Sequence, residues 1–293
     1  MRRVATLVAI LISTYRSLVQ HDILMLGGAI AYHALLSLFP LLIGIVALFS
    51  RFVDEATAQH AVVRALEPYL PPGVIGIVEE ALEGAVSRRG TAGALATLGL
   101  FWTTMAVAST LLRSLNSVLD APPTRPFLHR KVVELAMVGM GGALIVLSVF
   151  ASAALTFLGA VPGLAGIIDA FRGSRIWALA ASAGPWIFSG TAFVVLYRFV
   201  PNIRVRRRSL LIGSLAAMML FELTKRAFFW YLLRLAQYPL AYGPLAGIVV
   251  FLVWVYLASL VALIGGTLIR QVEDFGSTAA LASANRGVTD GRS

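Results

Sequence analysis

The run Ile23–Ser50, ILMLGGAIAYHALLSLFPLLIGIVALFS, holds 28 residues without one Asp, Glu, Lys or Arg. About 20 apolar residues suffice to cross the hydrocarbon of a bilayer. At about 1.5 Å per residue, a straight helix of this length would measure about 42 Å, against a core of about 30 Å. The segment must therefore tilt, bend or protrude. Pro40 predicts the bend, because its ring excludes the Leu36 carbonyl and removes the hydrogen bond that carbonyl would accept. Tyr32, His33 and Ser37 place polar groups in the two turns before it, and Ser37 is a candidate to re-satisfy the freed carbonyl.

Composition extends the inference to the whole chain. Hydrophobic residues make up 59% and charged residues 13%, whereas soluble domains carry about 25% charged. This is the signature of an integral membrane protein, with membrane lipids as its first partners. No cysteine is present, which excludes a disulfide framework, thiolate chemistry and Cys-ligated metal. A net charge of +10 could point to nucleic acid, but Arg and Lys on the cytoplasmic side of a membrane account for it more simply. No nucleic-acid partner, prosthetic group or metal is expected.

Along the chain, residues 1–22 read as an uncleaved N-terminal helix lying in the cytoplasmic interface. The stretch after Met-Arg-Arg is apolar, but no small-x-small cleavage site follows it. The first span is Ile23–Ser50. An outer amphipathic segment at about 53–90 carries Asp54, Glu55, Glu67, Glu79, Glu80 and Glu83, divided by Pro68, Pro71 and Pro72. Ile75, Val78, Leu82 and Ala85 recur at helical spacing there, and the glutamates form another, solvated face. Further spans are predicted at about Thr91–Leu119, Val132–Ala160, Ile176–Val200, Ser209–Gln237 and Gly243–Ile269. Residues 271–293 read as a disordered cytoplasmic tail. The fold class is thus all-α: six transmembrane helices, 23–270, with short amphipathic interfacial helices. Gly139, Gly141 and Gly142 would let another helix approach the third span closely, and Trp177 suits an interface anchor.

The basic residues orient this map. The N-terminus, the 120–131 linker, the 198–208 linker and the tail together carry fourteen Arg and Lys, and the opposite side carries nine. The richer side is cytoplasmic, so both termini lie inside. Arg113 and Glu134 sit near that boundary, where they either pair across a hairpin or snorkel separately.

Four stretches together resemble the YihY/BrkB family of bacterial inner-membrane proteins. They are Ala31-Tyr32 through Ser37-Leu38-Phe39-Pro40; Leu196-Tyr197 with Val200-Pro201-Asn202; Phe221-Glu222 with Lys225 and Phe228; and Tyr242-Gly243 with Trp254 and Leu263. The resemblance covers about residues 20–270. It implies six helices, cytoplasmic termini and envelope biology, and in some members transport of lipid or lipopolysaccharide precursors. The family also carries an old ribonuclease label. This chain has Gly265-Gly266-Thr267 where members often have Gly-Ala-Glu, so a mechanism needing that carboxylate is in doubt at Thr267.

Three functions remain open. The first is transport or flipping of an amphipathic envelope substrate, a phospholipid or lipopolysaccharide precursor, by a protein that is not an enzyme. The second is a non-transporting envelope scaffold. The third, a membrane-bound hydrolase or ribonuclease, has little local support. His21, His33, His60 and His129 form no HxH or HxxxH pair, and no phosphate-binding Gly loop occurs. Two groups are candidates for substrate binding. Tyr32, His33 and Ser37 either line a polar cavity or merely satisfy the backbone near Pro40. Glu222, Lys225 and Arg226 share a helix face in the favourable acid-first order. They form either an outer-interface anchor or a site where an anionic headgroup displaces Glu222. Pro40→Ala is expected to straighten the first span and impair function more than insertion. Full activity of the variant in a transport or complementation assay would make Pro40 incidental.

Overall fold

A computed structural model of the chain describes residues 2–49, 55–66, 75–76, 79–80, 92–122, 126–140, 174–234 and 246–290. Among these residues the regular structure is helical and contains no strand, as expected for an all-α chain. The helices are α1 (Arg2–Gln20), α2 (Ile23–Phe49), α3 (Glu55–Leu66), α4 (Ala92–Val118), α5 (127–140), α6 (Arg175–Phe199), α7 (Arg207–Arg234) and α8 (Ala246–Asp290). α2, α4, α6 and α7 begin and end within three residues of the expected limits. The far half of the third span lies outside the described residues, as do Gly141, Gly142, most of the 67–90 segment and the side chains of Pro40 and Trp177. Glu79 and Glu80 are exposed, in keeping with a solvated face. By length and composition, one helix among the described residues is apolar enough to cross a membrane, at Gly247–Phe275.

Local chemistry sets the breaks. Between α1 and α2, Asp22 adopts φ 47°, and its carbonyl accepts from Met25 N and Leu26 N. Asp tolerates this left-handed conformation better than most residues. At the end of α4, Asp120 has φ 50°. Ala121 N donates to Asn116 O (2.9 Å) and Asp120 N to Ser117 O (3.1 Å), which is a Schellman termination with Asp in place of Gly. Pro122 then forbids continuation. α6 stops at Phe199 ahead of Pro201, since the residue before proline is driven out of the helical region.

α8 is the axis of the packing. It lies against α1, α2, α4 and α7, while α2 also packs on α4 and α6 on α7. Apolar surfaces in lipid gain nothing from leaving water, so helices associate through close packing and hydrogen bonds, and small residues sit at the contacts. Gly213 of α7 meets Gly265 of α8. A Cβ at 213 would come within 3.0 Å of Gly265 O, and a Cβ at 265 within 2.7 Å of Ala217 Cβ. Gly266 faces Leu115 of α4, and Gly27 of α2 faces Leu260. Tyr197 of α6, fully buried, lies across this seam and donates from its hydroxyl to Ala262 O at 2.7 Å.

The buried core collects at one end of the bundle. It takes Ile23 from the start of α2, Leu115 and Leu119 from the end of α4, Tyr197 from the end of α6, Leu210 from the start of α7 and Ile269 from α8. The connecting segments are stitched together there. Asp120 accepts from His21 Nε2 (3.1 Å) and Arg270 Nε (3.3 Å). Asn116 Oδ1 accepts from Asn202 N (2.8 Å), and Asn202 Nδ2 donates to Pro122 O (3.2 Å). Glu273 Oε1 accepts from Arg206 N at 2.7 Å. The end of α1, the end of α4, the segment before α7 and Arg270–Glu273 of α8 therefore meet at one end.

The last helix differs from the sequence expectation. Instead of giving way to a disordered tail at Gln271, it runs on to Asp290. Residues 271–275 are half-buried, and Glu273 and Asp274 engage Arg206 and Arg270, which gives the polar extension partners that apolarity alone does not reveal.

The seam supplies a double-mutant test. Gly265→Ala is expected to destabilise the protein by about 1–3 kcal/mol through overpacking, and Tyr197→Phe by about 1 kcal/mol through the lost hydrogen bond. The added Cβ would collide with the Tyr197 hydroxyl, so the double variant should be more stable than the sum of the two losses predicts. Unfolding of purified protein in detergent measures this, and simple additivity would refute the contact.

Candidate functional site

The two groups of candidate residues fare differently. On α2, the His33 ring faces its own helix, with Nδ1 2.8 Å from Ala29 O, and the exposed Tyr32 stands edge-on to it with ring centroids 5.6 Å apart. Ser37 is buried and donates to Ala34 O at 3.0 Å, not to the Leu36 carbonyl that Pro40 frees. A helical serine hydroxyl readily back-bonds one turn earlier, and here that local acceptor is taken. His33 and Ser37 thus satisfy backbone groups of α2. Nothing among the described residues joins them to the second group.

The second group forms a site between α6 and α7. Glu222 is 3% exposed, and both of its oxygens are met by Lys225 Nζ, Oε1 at 2.9 Å and Oε2 at 2.8 Å. The i,i+3 spacing on α7 brings this pair together, with the acid N-terminal. From α6, the Ser189 hydroxyl reaches Glu222 Oε1 at 3.2 Å while also lying 3.2 Å from Trp186 O. Pro185 lies inside α6 one turn before Ser189. Phe221 and Phe228 flank the acid on α7 and pack on Trp254 of α8, with centroids 5.7 and 5.3 Å from it. The carboxylate is therefore held by one cation and one hydroxyl inside an aromatic wall, where each contact is stronger than it would be in water.

Arg226 does not share Glu222. It is exposed, and its guanidinium lies 5.4 Å from the centre of the Trp186 ring of α6. That is the geometry of a cation–π contact. The three residues placed on one face by spacing therefore separate into a buried Glu222–Lys225 pair within α7, tied to α6 through Ser189, and an outer Arg226–Trp186 stack that crosses from α7 to α6.

A second buried carboxylate is also settled. Glu134 of α5 is fully buried and bound by Lys131 Nζ at 2.6 Å, with Arg130 Nε 3.5 Å away. Both cations belong to its own helix, and no bond to the exposed Arg113 is formed. Thr267, which stands where a family carboxylate was expected, is fully buried and donates to Leu263 O at 2.9 Å. No cluster of His, Asp and Glu suited to a metal occurs among the described residues.

Sequence reading missed Ser189 and Trp186. Ser189, Phe193 and Tyr197 recur every four residues, which marks one face of α6, but only the fold shows that this face meets Glu222.

Comparison with known proteins agrees with the motifs. The family model described as "Virulence factor BrkB" matches residues 14–286. A "UPF0761 membrane protein" of Rhodospirillum rubrum is 31% identical over 280 residues, covering 94% of this chain and 61% of that protein. One of Aliivibrio fischeri is 30% identical over 256 residues, 87% of this chain and 80% of that protein. A third, of Pseudoalteromonas atlantica, is 28% identical over 249 residues, 85% and 81% respectively. The chain spans little more than half the length of some relatives, 55% in that of Alkalilimnicola ehrlichii. No solved structure matches it. With nearly its whole length covered by the family model, this chain is a membrane protein of the BrkB family.

Proposed function

We propose that the protein crosses the bacterial inner membrane six times, with both termini in the cytoplasm, and translocates an amphipathic anionic substrate of the envelope such as a phospholipid or lipopolysaccharide precursor. On this reading it is not an enzyme. One observation carries it: the buried Glu222–Lys225 pair, tied through Ser189 to the neighbouring helix. Ionisable groups within a membrane are costly, face the protein interior and mark substrate pathways. A buried ion pair also adds little stability over apolar residues of the same size, so structure alone does not call for it. Lys225 lies 18 residues after Arg207, about 27 Å along a straight helix and so near the far side of a bilayer of about 30 Å. An anionic headgroup entering between α6 and α7 exchanges with Glu222 for Lys225, and Arg226 on Trp186 supplies a second cation at the entrance. Glu222 retains Ser189 meanwhile, so neither charge is left bare.

A scaffold is the second reading. It is favoured by Gly139 of α5, exposed, where a side chain would meet nothing within 4 Å. A Gly139→Leu variant that lost a crosslinked partner but kept transport would assign that face to assembly.

Two experiments test the main reading. The chain lacks cysteine, so single cysteines report topology without background. Positions 130 and 207 should be reached from the cytoplasm, and 80 and 172 from outside; a cytoplasmic position 80 would overturn the map. In liposomes carrying labelled phosphatidylglycerol, Glu222→Gln and Lys225→Gln are expected to slow headgroup translocation by about ten- to a hundredfold, the loss of about 1.5–3 kcal/mol in a charged hydrogen bond. Wild-type rates in both variants at equal expression would reduce the pair to an anchor.

A further inference from the structure

The outward face of α7 carries a second, unassigned feature. Leu211, Leu215, Met219 and Leu223 recur every four residues and are 61%, 54%, 52% and 63% exposed. Spacing of four keeps them on one ridge of the helix. The ridge is about 18 Å long, close to one leaflet's share, about 15 Å, of the hydrocarbon. Arg207 continues the same spacing downward, one turn before Leu211.

The ridge stands on an arginine-rich segment of fixed shape. Arg204, Arg206, Arg207 and Arg208 are exposed, whereas Val205 between them is inserted in the core. The backbone around them is held from three sides: by Asn116 on Asn202 N, by Pro122 O on Asn202 Nδ2, and by Glu273 on Arg206 N. Nearby, Arg130 and Lys131 are engaged with Glu134, and Arg270 with Asp120 and Asp274. Among the described residues, none of these four arginines has a carboxylate within ion-pair reach of its guanidinium. A pinned loop with free guanidinium forks, beside an aliphatic ridge one leaflet deep, is complementary to a ligand with an anionic phosphate head and a long chain.

We propose that residues 204–208 and the Leu211–Leu223 ridge form a binding site for one anionic phospholipid of the inner leaflet. Its phosphate is held by Arg204, Arg207 and Arg208, and one acyl chain lies along the ridge. The leaflet rests on the orientation proposed above; the head-and-chain chemistry does not. The arginines stand at the start of α7 and Glu222 about four turns later, so the headgroup site lies at the other end of the helix from the ion pair.

Native mass spectrometry of the full-length protein, released from nanodiscs of mixed phosphatidylglycerol and phosphatidylcholine, reads the site directly. One phosphatidylglycerol should be retained preferentially. Each basic residue near an anionic headgroup contributes about 1 kcal/mol, so Arg204→Gln/Arg207→Gln/Arg208→Gln should weaken retention on the order of a hundredfold. Because that variant removes charges that set topology, Arg207→Lys/Arg208→Lys is the companion. It keeps the charge but loses the bidentate fork, and a drop of a few fold is expected. Glycerophosphoglycerol, the same headgroup without chains, and inorganic phosphate should not compete. Equal retention of phosphatidylcholine, unchanged retention in the triple variant, or displacement by either soluble phosphate would overturn the proposal. A cysteine at 207 labelled from outside would overturn the inner-leaflet assignment while leaving headgroup selectivity intact. Loss of selectivity with correct labelling would sink the lipid site and leave the topology standing.

Discussion

The contact between α7 and α8 at Gly213 and Gly265 governs much of what surrounds it. In an apolar bundle, attraction between helices comes from atoms in contact and from hydrogen bonds, so backbone separation decides how strongly two helices hold. Glycine on both sides brings the backbones together, and the space beside Gly265 is taken by Tyr197, whose hydroxyl finds Ala262 O. Three helices are fixed in one plane of contact by this arrangement. It also sets the rotation of α7, because turning Gly213 toward α8 turns Glu222, nine residues later in the chain, toward the seam with α6. A site more than two turns away thus inherits its geometry from a glycine contact that carries no chemistry of its own.

The two buried glutamates show why burial alone does not identify a site. Glu134 and Glu222 each have a lysine three residues away, Lys131 before the first and Lys225 after the second. Glu134 is neutralised within α5, beside cations that also lie over the Phe127 ring, so its bonds say nothing about neighbouring helices. Glu222 is bonded across a helix boundary, through Ser189. A change in its bonding partners therefore bears on how α6 and α7 sit together, whereas a change at Glu134 stays local. The favourable acid-first order of i,i+3 pairs holds at Glu222 and is reversed at Glu134, where Arg130 and Lys131 precede the acid.

Much of the helical plan was legible because its signals are local. A charge-free run gave α2 its limits, proline ended α6, and the tally of basic residues grouped the segments around Asp120, Arg206 and Arg270, which the fold joins. The Glu222–Lys225 pair was legible for the same reason, since a spacing of three on a helix is a contact. Relations between helices were not. Ser189 and Trp186 have no sequence relation to α7, and Arg226 left the acid for a ring on another helix. Polarity after Gln271 suggested disorder, but Glu273 accepts from Arg206 N on another segment and Asp274 pairs with Arg270 of its own helix. The missing family carboxylate at Thr267 had a simple outcome, a threonine whose hydroxyl is consumed within its own helix.

The two faces of α7 make one further point about the fold. Gly213, Ala217, Glu222 and Phe228 are buried against its neighbours, whereas Leu211, Leu215, Met219 and Leu223 are exposed and apolar. A helix that only had to span and pack would need small and apolar residues inward, and a carboxylate there must be matched by Lys225 and Ser189 to avoid the cost of a bare buried charge. The matching is local on one side and shared with α6 on the other. Charge and packing are thus separated along the helix, with the tight glycine contact toward the arginine-rich end and the buried ion pair toward the other.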